Sequence, residues 1–387
     1  MPESPGSHPE CGCTASGAVG STRDGTFRSD ANRYGLDYAT EAGLLPEPPV
    51  RIIDIHAHIH GRAAAGVWAR AADLFGIERV YTMSQLAGAE AVREALGDRV
   101  RFIAFPDWAN EDRESVHRGG YLDAIGEYRE RFDARIVKFW SGPTLIDYAG
   151  GDPADVVEFD SAWRVRQAEL ATELGMMFMV HIADPDTWFA AKYTDTKRYR
   201  AKRDHYASFE RMLERFGQPW IAAHMGGWPE DLDFLDGLLD RHGNLYLDTS
   251  ATKWVVRALG QHATARVVRF FERWRGRLLF GSDIVTMDAH LSAGSGDSIS
   301  TKSEQASTEA EAFDLYASRY WALRTMLETD TVCESPVVDP DLHTSDPARY
   351  DAKAAPVLRG LSLSREVLVE LYRTTAESVV EAFAASR

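Results

Sequence analysis

Short apolar runs alternate with longer amphipathic stretches along most of the chain. The short runs are rich in β-branched and aromatic residues, which favours strands, and the stretches between them repeat apolar residues at three- and four-residue steps, which favours helices. The runs predict eight strands, at residues 51–58, 79–85, 100–106, 134–140, 176–182, 219–225, 244–250 and 277–283. The stretches predict helices at residues 67–77, 121–132, 162–175, 209–217, 232–243 and 265–274. Repeated strand–helix units of this kind predict an α/β fold with a parallel sheet.

Eight such units fit a closed (β/α)8 TIM barrel. An open, doubly wound sheet is the alternative, because it has the same alternation of strands and helices. Two features favour the barrel. No Gly-rich phosphate-binding loop follows the first strand, and the polar residues of interest fall at the C-terminal ends of nonadjacent strands, where barrels assemble their sites.

The two ends of the chain depart from this rhythm. Residues 1–33 are rich in Ser, Gly and Pro and predict a flexible tail, so that residues 34–387 would form a single barrel domain. Two long polar segments, 286–307 and 329–356, predict loops after the eighth strand and between two terminal helices. Loops of that length are usually lids, binding elements or disordered insertions.

Composition narrows the class of function. The chain has 387 residues, of which 44% are hydrophobic, and a formal net charge of -16. A sizeable core is therefore available, and no broad basic surface could neutralise nucleic acid or an anionic membrane. No apolar stretch approaches the roughly 20 residues of a membrane-spanning helix, and the N-terminus lacks a basic start and an apolar signal core. We expect a cytoplasmic protein whose partner is a small molecule.

The cysteines indicate neither a disulfide framework nor a zinc site. Only Cys11, Cys13 and Cys333 are present. His8, Cys11 and Cys13 could capture a metal, but a closed zinc site usually needs four ligands held by a fold, which a Ser/Gly/Pro-rich tail does not provide.

The first predicted strand ends in "DIHAHIH", which carries His56, His58 and His60 at alternate positions. Residues two apart in a strand share a face, so His56 and His58 point the same way, which in a barrel is inward at its C-terminal mouth. Two imidazoles about 6 to 7 Å apart along the strand can bind one small cation between them. A single histidine at a strand end is commonly just a polar residue, so the other strands must test this interpretation.

Three more strands end in residues of the same kind. His181 ends the fifth strand, His224 the sixth and Asp283 the eighth. Either histidine alone could be a hydrogen-bonded core residue. Together with the first pair they form a set of imidazoles and one carboxylate, which suits Zn²⁺ or a similar transition metal, and three or four protein ligands with an open position are typical of a catalytic site.

These motifs resemble the amidohydrolase superfamily of metal-dependent barrel enzymes, in particular its amidohydrolase-related (amidohydrolase 2) branch. The matching segments are "DIHAH", "VHI", "AHMGG" and "FGSD", and the run from "AHMGG" to "LYLDTSA" is similar to the same part of the branch. The resemblance extends over residues 50 to about 325. It implies that His56, His58, His181 and Asp283 bind the metal and that Asp283 shuttles the proton of the bound water.

The resemblance leaves two roles open. His224 would either bind a second metal or lie close to the first and polarise a substrate oxygen. Lys138, in the fourth strand, would be carboxylated and bridge two ions in binuclear members; alternatively it points out of the barrel or binds a substrate carboxylate. We predict one ion, Zn²⁺, and two only if Lys138 is carboxylated. The family pattern stops before His60, which we expect to be solvated where the strand gives way to a loop; the alternative is that it contacts the substrate.

Two reactions fit this ligand set. A cation held by neutral imidazoles lowers the pKa of bound water to about 7, so that hydroxide can attack a lactone, ester or amide carbonyl with Asp283 as proton shuttle. We predict this hydrolase. The alternative is a decarboxylase similar to amino-carboxymuconate-semialdehyde decarboxylase, in which an unsaturated or aromatic carboxylic acid loses carbon dioxide. A third interpretation, a barrel that only binds a ligand, is disfavoured because the ligand set is intact.

Both reactions favour an anionic substrate. Six basic residues follow the fifth strand and could attract it, or could form a solvated helix face: Lys192, Lys197, Arg198, Arg200, Lys202 and Arg203. Trp140, Trp188, Trp228 and Lys253 follow strand ends and are candidates to line the pocket, although aromatic residues there could instead pack loops against the rim. The resemblance also implies that the chain could form a homodimer.

Overall fold

A single parallel sheet organises the computed structural model, which describes residues 29–108, 110–292 and 305–386. Nine strands follow one another in the order β8-β7-β6-β5-β4-β3-β2-β1-β9, and every neighbouring pair is parallel. The strands are β1 (Ile52–Ile59), β2 (Ile77–Thr82), β3 (Val100–Ala104), β4 (Ile136–Trp140), β5 (Met177–His181), β6 (Trp220–Ala222), β7 (Leu245–Asp248), β8 (Leu278–Leu279) and β9 (Ile284–Thr286). Each predicted strand is found, with its ends shifted by a few residues.

The sheet closes because β8 and β9 are two halves of one interrupted eighth strand. β8 pairs with β7, and β9 pairs with β1. Between the two halves the Ile55 N–H donates to the Phe280 carbonyl at 2.9 Å, and the Asp283 N–H donates to the His56 carbonyl at 2.8 Å. β1 is therefore hydrogen-bonded on one side to β2 and on the other to residues 280–286, and the predicted (β/α)8 barrel is confirmed.

Helices surround the sheet. In chain order they are α1 (Tyr38–Leu44), α2 (Arg62–Leu74), α3 (Leu86–Leu96), α4 (Arg113–Val116), α5 (Gly119–Phe132), α6 (Leu145–Tyr148), α7 (Ala154–Val157), α8 (Ala162–Glu173), α9 (Asp186–Ala191), α10 (Thr196–Tyr199), α11 (Asp204–Arg215), the turn α12 (Ala223–Gly226), α13 (Leu232–Arg241), α14 (Thr252–Leu259), α15 (Thr264–Arg273), α16 (Glu309–Glu328), α17 (Pro340–Ser345), α18 (Arg365–Val369) and α19 (Ala382–Ala385). The chain between α18 and α19 contains two π-helical segments, Glu370–Thr374 and Glu377–Glu381.

The six predicted helices correspond to α2, α5, α8, α11, α13 and α15. Polar residues cap their starts where the sequence offers them: the Ser161 side chain accepts from the Arg164 N–H at α8, and the Asp231 side chain accepts from the Phe234 N–H at α13. The prediction missed α3, because its buried positions include small residues such as Ala89 beside Val92 and Leu96. Small apolar residues weaken the periodic signal without weakening the helix.

The segment 329–356 is more ordered than a loop. It contains α17 and the strand β10 (Val332–Glu334), which pairs antiparallel with β11 (Val357–Arg359). The two terminal helical regions that it was predicted to separate are α16 and the stretch from α18 to α19. Of the other predicted loop, 286–307, the residues 293–304 lie outside the described residues.

The first described residues pack against this segment. The Arg33 N–H donates to the Pro336 carbonyl, and the Val338 N–H donates to the Asp30 carbonyl. Residues 1–28 of the predicted tail lie outside the described residues. The division into a tail of residues 1–33 and one domain of residues 34–387 stays a prediction. Among the helices that the structure describes, none combines the length and apolar character needed to cross a bilayer.

Candidate functional site

β1 places two histidines on the inner side of the barrel near its C-terminal end. His56 is buried and His58 is half-buried, with ring centroids 5.7 Å apart. The residues between and around them, Ile55, Ala57 and Ile59, belong to the apolar core. The alternation in "IIDIHAHI" therefore gives one polar face and one core face, as strand geometry requires.

Asp283 meets both histidines from the break in the eighth strand. Its Oδ1 lies 3.3 Å from Nε2 of His58 and 3.4 Å from Nε2 of His56. Its backbone is left-handed, with φ at +57°, a conformation that non-glycine residues seldom adopt and that recurs at functional sites. The side-chain ligand atoms of His56, His58 and Asp283 all lie within 4.8 Å of one another.

His224 lies in the turn after β6, where its backbone is also left-handed, at φ +58° and ψ +53°. Its ring centroid is 5.1 Å from that of His56 and 4.8 Å from that of His181. Burial lowers the pKa of His224 well below its usual value, so the ring is neutral at pH 7. The Ser250 hydroxyl lies 2.8 Å from Nδ1 and gives its own proton to Asp248, so Nδ1 carries the proton and Nε2 the lone pair.

His181 ends β5 as predicted but makes a different contact. Its Nε2 lies 2.9 Å from Oδ1 of Asp184, a buried carboxylate that the sequence analysis missed. Burial alone would raise the pKa of Asp184, but its hydrogen bond with His181 and the charge of His181 hold that pKa below its usual value. His181 belongs to neither of the two candidate ligand groups found among the described residues. A Cβ added at Gly142 would lie only 3.1 Å from the His181 ring, so this glycine leaves room for the imidazole.

Lys138 of β4 points into the barrel. It is 7% exposed, and its Nζ lies 3.4 Å from Nε2 of His56, so the alternative in which it reaches outward is wrong. Burial lowers the pKa of Lys138 to about 8, although the charges of Asp248 and Asp283 act in the opposite direction. A neutral or modified amine is therefore more accessible here than at an exposed lysine.

Asp248, the last residue of β7, was not predicted as a site residue. Its Oδ2 lies 2.9 Å from Nδ1 of His56, and its Oδ1 accepts the backbone N–H of His224 at 2.8 Å. Burial alone would raise the pKa of Asp248, but the charge and hydrogen bond of His56 hold it below its usual range. His56, His224 and Asp248 form the second group with ligand atoms within 4.8 Å. Its position at the C-terminal end of a strand, which it shares with the predicted site residues, could have indicated a role in the site.

Asp54 is a second carboxylate that lacked a predicted role. It is fully buried, and it accepts hydrogen bonds from the backbone N–H groups of His56 and Ser282, from the Ser282 hydroxyl and from the Tyr320 hydroxyl. Burial raises the pKa of Asp54 to about 7. Its contacts with Ser282 fix the chain next to Asp283, so Asp54 shapes the break in the eighth strand.

Aromatic rings surround the histidines. Trp140 lies edge-on to His181 with a centroid distance of 6.4 Å, and Phe105 lies 6.4 Å from His58. Trp254 lies 6.0 Å from His224, directly after the predicted pocket residue Lys253. Of these rings only Trp140 was predicted to line the pocket.

Two predicted pocket aromatics take part in loop packing. The Trp228 ring stacks on Tyr206, with centroids 5.6 Å apart, and the Trp188 indole N–H donates to Asp341 at 2.8 Å. His60 follows the last residue of β1, as expected, and it is half-buried, with its ring 6.5 Å from that of His58.

Three of the six basic residues after β5 have acidic partners. Arg198 pairs with Asp147, and Arg200 pairs with Glu158. Lys202 is buried, and its Nζ lies 2.8 Å from Asp186. These three ion pairs connect separate segments of the chain. Because the charges of the three cations are balanced, the prediction that the cluster attracts an anionic substrate is weakened.

Comparisons with known proteins give distant structural matches. No protein-family model and no curated protein sequence matches the chain. Among solved structures, 5-carboxyvanillate decarboxylase from Novosphingobium aromaticivorans, complexed with manganese and a nitrobenzoic acid, aligns over 87% of this chain and 97% of its own, with a TM-score of 0.42 and 11% identity.

Two further solved structures are similar at the same level. A probable 2-pyrone-4,6-dicarboxylic acid hydrolase from Acinetobacter baumannii, with citric acid bound, covers 69% of this chain and 99% of its own, at a TM-score of 0.40 and 9% identity. A zinc-bound amidohydrolase from Burkholderia multivorans covers 85% of this chain and 98% of its own, at a TM-score of 0.38 and 13% identity. TM-scores below 0.5 assign neither a family nor a reaction.

Proposed function

We propose that the chain is a metal-dependent hydrolase of the amidohydrolase type, which attacks the carbonyl of a small anionic lactone, ester or amide. The observation that supports it is the convergence of His56, His58 and Asp283, whose ligand atoms lie within 4.8 Å of one another. Two imidazole nitrogens and a carboxylate oxygen are suitable ligands for a divalent transition metal, with Zn²⁺ as our first choice.

The donor set fits one cation. Oδ1 of Asp283 lies 3.3 Å from Nε2 of His58 and 3.4 Å from Nε2 of His56. His181 would complete the set through Nδ1, because its Nε2 is engaged by Asp184. When bound, a divalent cation would polarise a carbonyl and make water acidic enough to ionise near neutral pH.

The protein's own groups would handle the protons and the substrate. Asp283 would take a proton from the attacking water and return it to the leaving group, since its carboxylate lies at the centre of the ligand group. His224, whose Nε2 carries a lone pair, would act as a second acceptor or as a ligand. Lys138 would bind a substrate carboxylate, or bridge two ions if it is carboxylated.

The proposed pocket walls are aromatic. Trp140 stands beside His181, and Trp228 and Lys253 remain candidates on neighbouring loops. An apolar wall around a charged centre lowers the local dielectric constant, which strengthens the pull of Lys138 on an anionic group.

Metal analysis combined with a substrate screen tests the proposal. Purified protein would be assayed for bound Zn²⁺, Mn²⁺ and iron, and then incubated with panels of lactones, amides and unsaturated or aromatic carboxylic acids while carbon dioxide release is recorded separately. Hydrolysis without carbon dioxide supports the proposal. Carbon dioxide release replaces it with the decarboxylase, and the lack of both metal and turnover would favour a barrel that only binds a ligand.

A further inference from the structure

Both carboxylate oxygens of Asp248 are engaged by fixed donors. Oδ1 accepts the backbone N–H of His224 at 2.8 Å, the backbone N–H of Ser250 at 3.0 Å and the Ser250 hydroxyl. Oδ2 lies 2.9 Å from Nδ1 of His56. The side chain is fully buried, so water does not compete for these bonds.

In the contact with His56, the ring nitrogen donates the hydrogen bond and the Asp248 carboxylate accepts it. An ionised carboxylate accepts hydrogen bonds but cannot donate, so Nδ1 of His56 carries the proton. In the neutral ring the lone pair then lies on Nε2, the atom that faces Asp283 at 3.4 Å.

We infer that Asp248 is a positioning residue, which fixes the Nδ1–H tautomer of His56 so that Nε2 can ligate the cation. The inference rests on the proposed function for the identity of the ligand atom. A metal ligand is commonly oriented in this way by a carboxylate on its other ring nitrogen.

The same contacts argue against Asp248 as a ligand. His56, His224 and Asp248 come close enough to hold an ion, but a cation between them would displace the donors that now bind the carboxylate. Two of those donors are backbone N–H groups, which would be left buried without an acceptor. The group of His56, His224 and Asp248 therefore orients the proposed ligand His56 and is not a separate cation site.

Asp248→Asn reverses the tautomer without changing the shape of the side chain. The amide oxygen must face the backbone N–H groups of His224 and Ser250, because these groups can only donate. The amide NH₂ then faces Nδ1 of His56, which has to accept. The proton of the neutral ring moves to Nε2, and the lone pair needed by the cation is lost.

Asp184→Asn provides a matched control. Asp184 also touches a predicted ligand, with Oδ1 2.9 Å from Nε2 of His181. Its other oxygen accepts the Tyr193 hydroxyl at 2.7 Å, and a hydroxyl can also accept. In this variant the amide oxygen can stay on His181 while the NH₂ donates to Tyr193, so the tautomer of His181 is preserved.

Two measurements on the full chain test the inference. Nitrogen-15 NMR of histidine-labelled, metal-free protein at pH 8 identifies the protonated nitrogen of His56, assigned by the signal lost in His56→Gln. Competition with a chelator gives the affinity for Zn²⁺. We expect an Nδ1–H ring in the wild type, an Nε2–H ring in Asp248→Asn and a 10- to 100-fold loss of Zn²⁺ affinity in that variant. Asp184→Asn should retain the wild-type His56 tautomer and, because the His181 tautomer is preserved, should lose less Zn²⁺ affinity than Asp248→Asn.

Three results would overturn the inference: an Nε2–H ring in the wild type, unchanged Zn²⁺ affinity in Asp248→Asn, or equal losses in the two Asn variants. The wild-type spectrum decides the matter even if Asp248→Asn does not fold. A wild type that binds none of Zn²⁺, Mn²⁺ and iron but holds the Nδ1–H ring would contradict the proposed function while leaving the orientation of His56 by Asp248 intact.

Discussion

Nε2 of His58 lies 3.3 Å from Oδ1 of Asp283, although the two residues come from opposite ends of the barrel sequence. The contact forms because β9 pairs with β1 at His58 itself, which aligns with Val285. The strand pairing that closes the barrel therefore also brings His58 and Asp283 together. A change at either residue tests the site without touching the apolar core.

The first prediction concerns these two residues. His58→Ala or Asp283→Asn should abolish turnover of whichever substrate the screen identifies, with a loss of at least about 100-fold for the proton shuttle, and should leave the fold intact. Circular dichroism and steady-state kinetics measure the two effects. His60→Ala is the matched control, because His60 lies beyond the end of β1. Full activity in either site variant would refute the site assignment.

Sequence periodicity predicted the barrel and its inner histidines because both depend on local alternation. The positions of His56, His58 and His181 near the ends of β1 and β5 follow from strand geometry, whereas His224 lies in the turn after β6 and Asp283 in the break between β8 and β9. The break in the eighth strand was beyond this reasoning, because it depends on the left-handed backbone of Asp283 and on hydrogen bonds to Asp54, which is distant in sequence.

The supporting carboxylates were also missed, for a related reason. Asp184 and Asp248 matter through the nitrogen that each contacts, and such pairings require three-dimensional distances. Likewise, the pairing of Arg198 with Asp147 joins the short helices α10 and α6, which no sequence pattern connects. A run of basic residues was therefore predicted to attract an anion, although three of its six cations are paired with acidic residues.

The second prediction concerns Gly281, which lies beside His56. A Cβ at Gly281 would lie 3.0 Å from the His56 Cβ and 3.2 Å from the Ser250 Cβ, closer than ordinary contacts. Gly281→Ala should push His56 from its place, cost about 1 to 3 kcal/mol of the free energy of unfolding and weaken Zn²⁺ binding. Urea unfolding and chelator competition measure these effects.

Gly88→Ala is the control for this change. Gly88 lies in α3, and a Cβ there would meet no atom within 4 Å. This variant should be stabilised by up to about 1 kcal/mol, since alanine favours a helix over glycine, and should bind Zn²⁺ like the wild type. If both variants bind Zn²⁺ equally well, Gly281 does not set the position of His56.

The third prediction concerns the attachment of the segment 329–356 to the barrel. Arg257 of α14 and Asp339 are both buried and form an ion pair. Arg257→Met should cost about 3 to 5 kcal/mol of the free energy of unfolding, because it leaves the Asp339 carboxylate buried without its partner. Urea unfolding provides the measurement.

A second substitution separates lost charge pairing from lost packing. Arg257→Met combined with Asp339→Asn should recover much of that loss, because the unpaired charge is removed. The exposed pair of Arg62 with Glu94 serves as a control, and Arg62→Met should change the stability by no more than about 0.5 kcal/mol. A double variant as unstable as Arg257→Met would mean that packing, rather than the buried charge, accounts for the effect.

The fourth prediction concerns His117, a histidine away from the site that should make the fold sensitive to acid. His117 is fully buried, and neither of its ring nitrogens has a hydrogen-bond partner among the described residues. Burial, reinforced by the charges of Arg164 and Arg118, lowers the pKa of His117 to about 3. A histidine in an unfolded chain has a pKa of about 6.5. Below that pH the unfolded chain therefore binds a proton at His117 that the folded chain does not bind.

Its contribution is therefore constant above pH 6.5 and becomes destabilising as the pH falls towards 3, reaching about 2 kcal/mol at pH 5. His117→Phe keeps an aromatic ring beside Trp108 and Tyr148, whose centroids lie 5.1 and 6.1 Å away, and removes the titrating group. Urea midpoints measured from pH 7.5 to pH 5 should fall less steeply in the variant than in the wild type. Parallel curves would show that His117 takes up its proton in the folded state as readily as in the unfolded one.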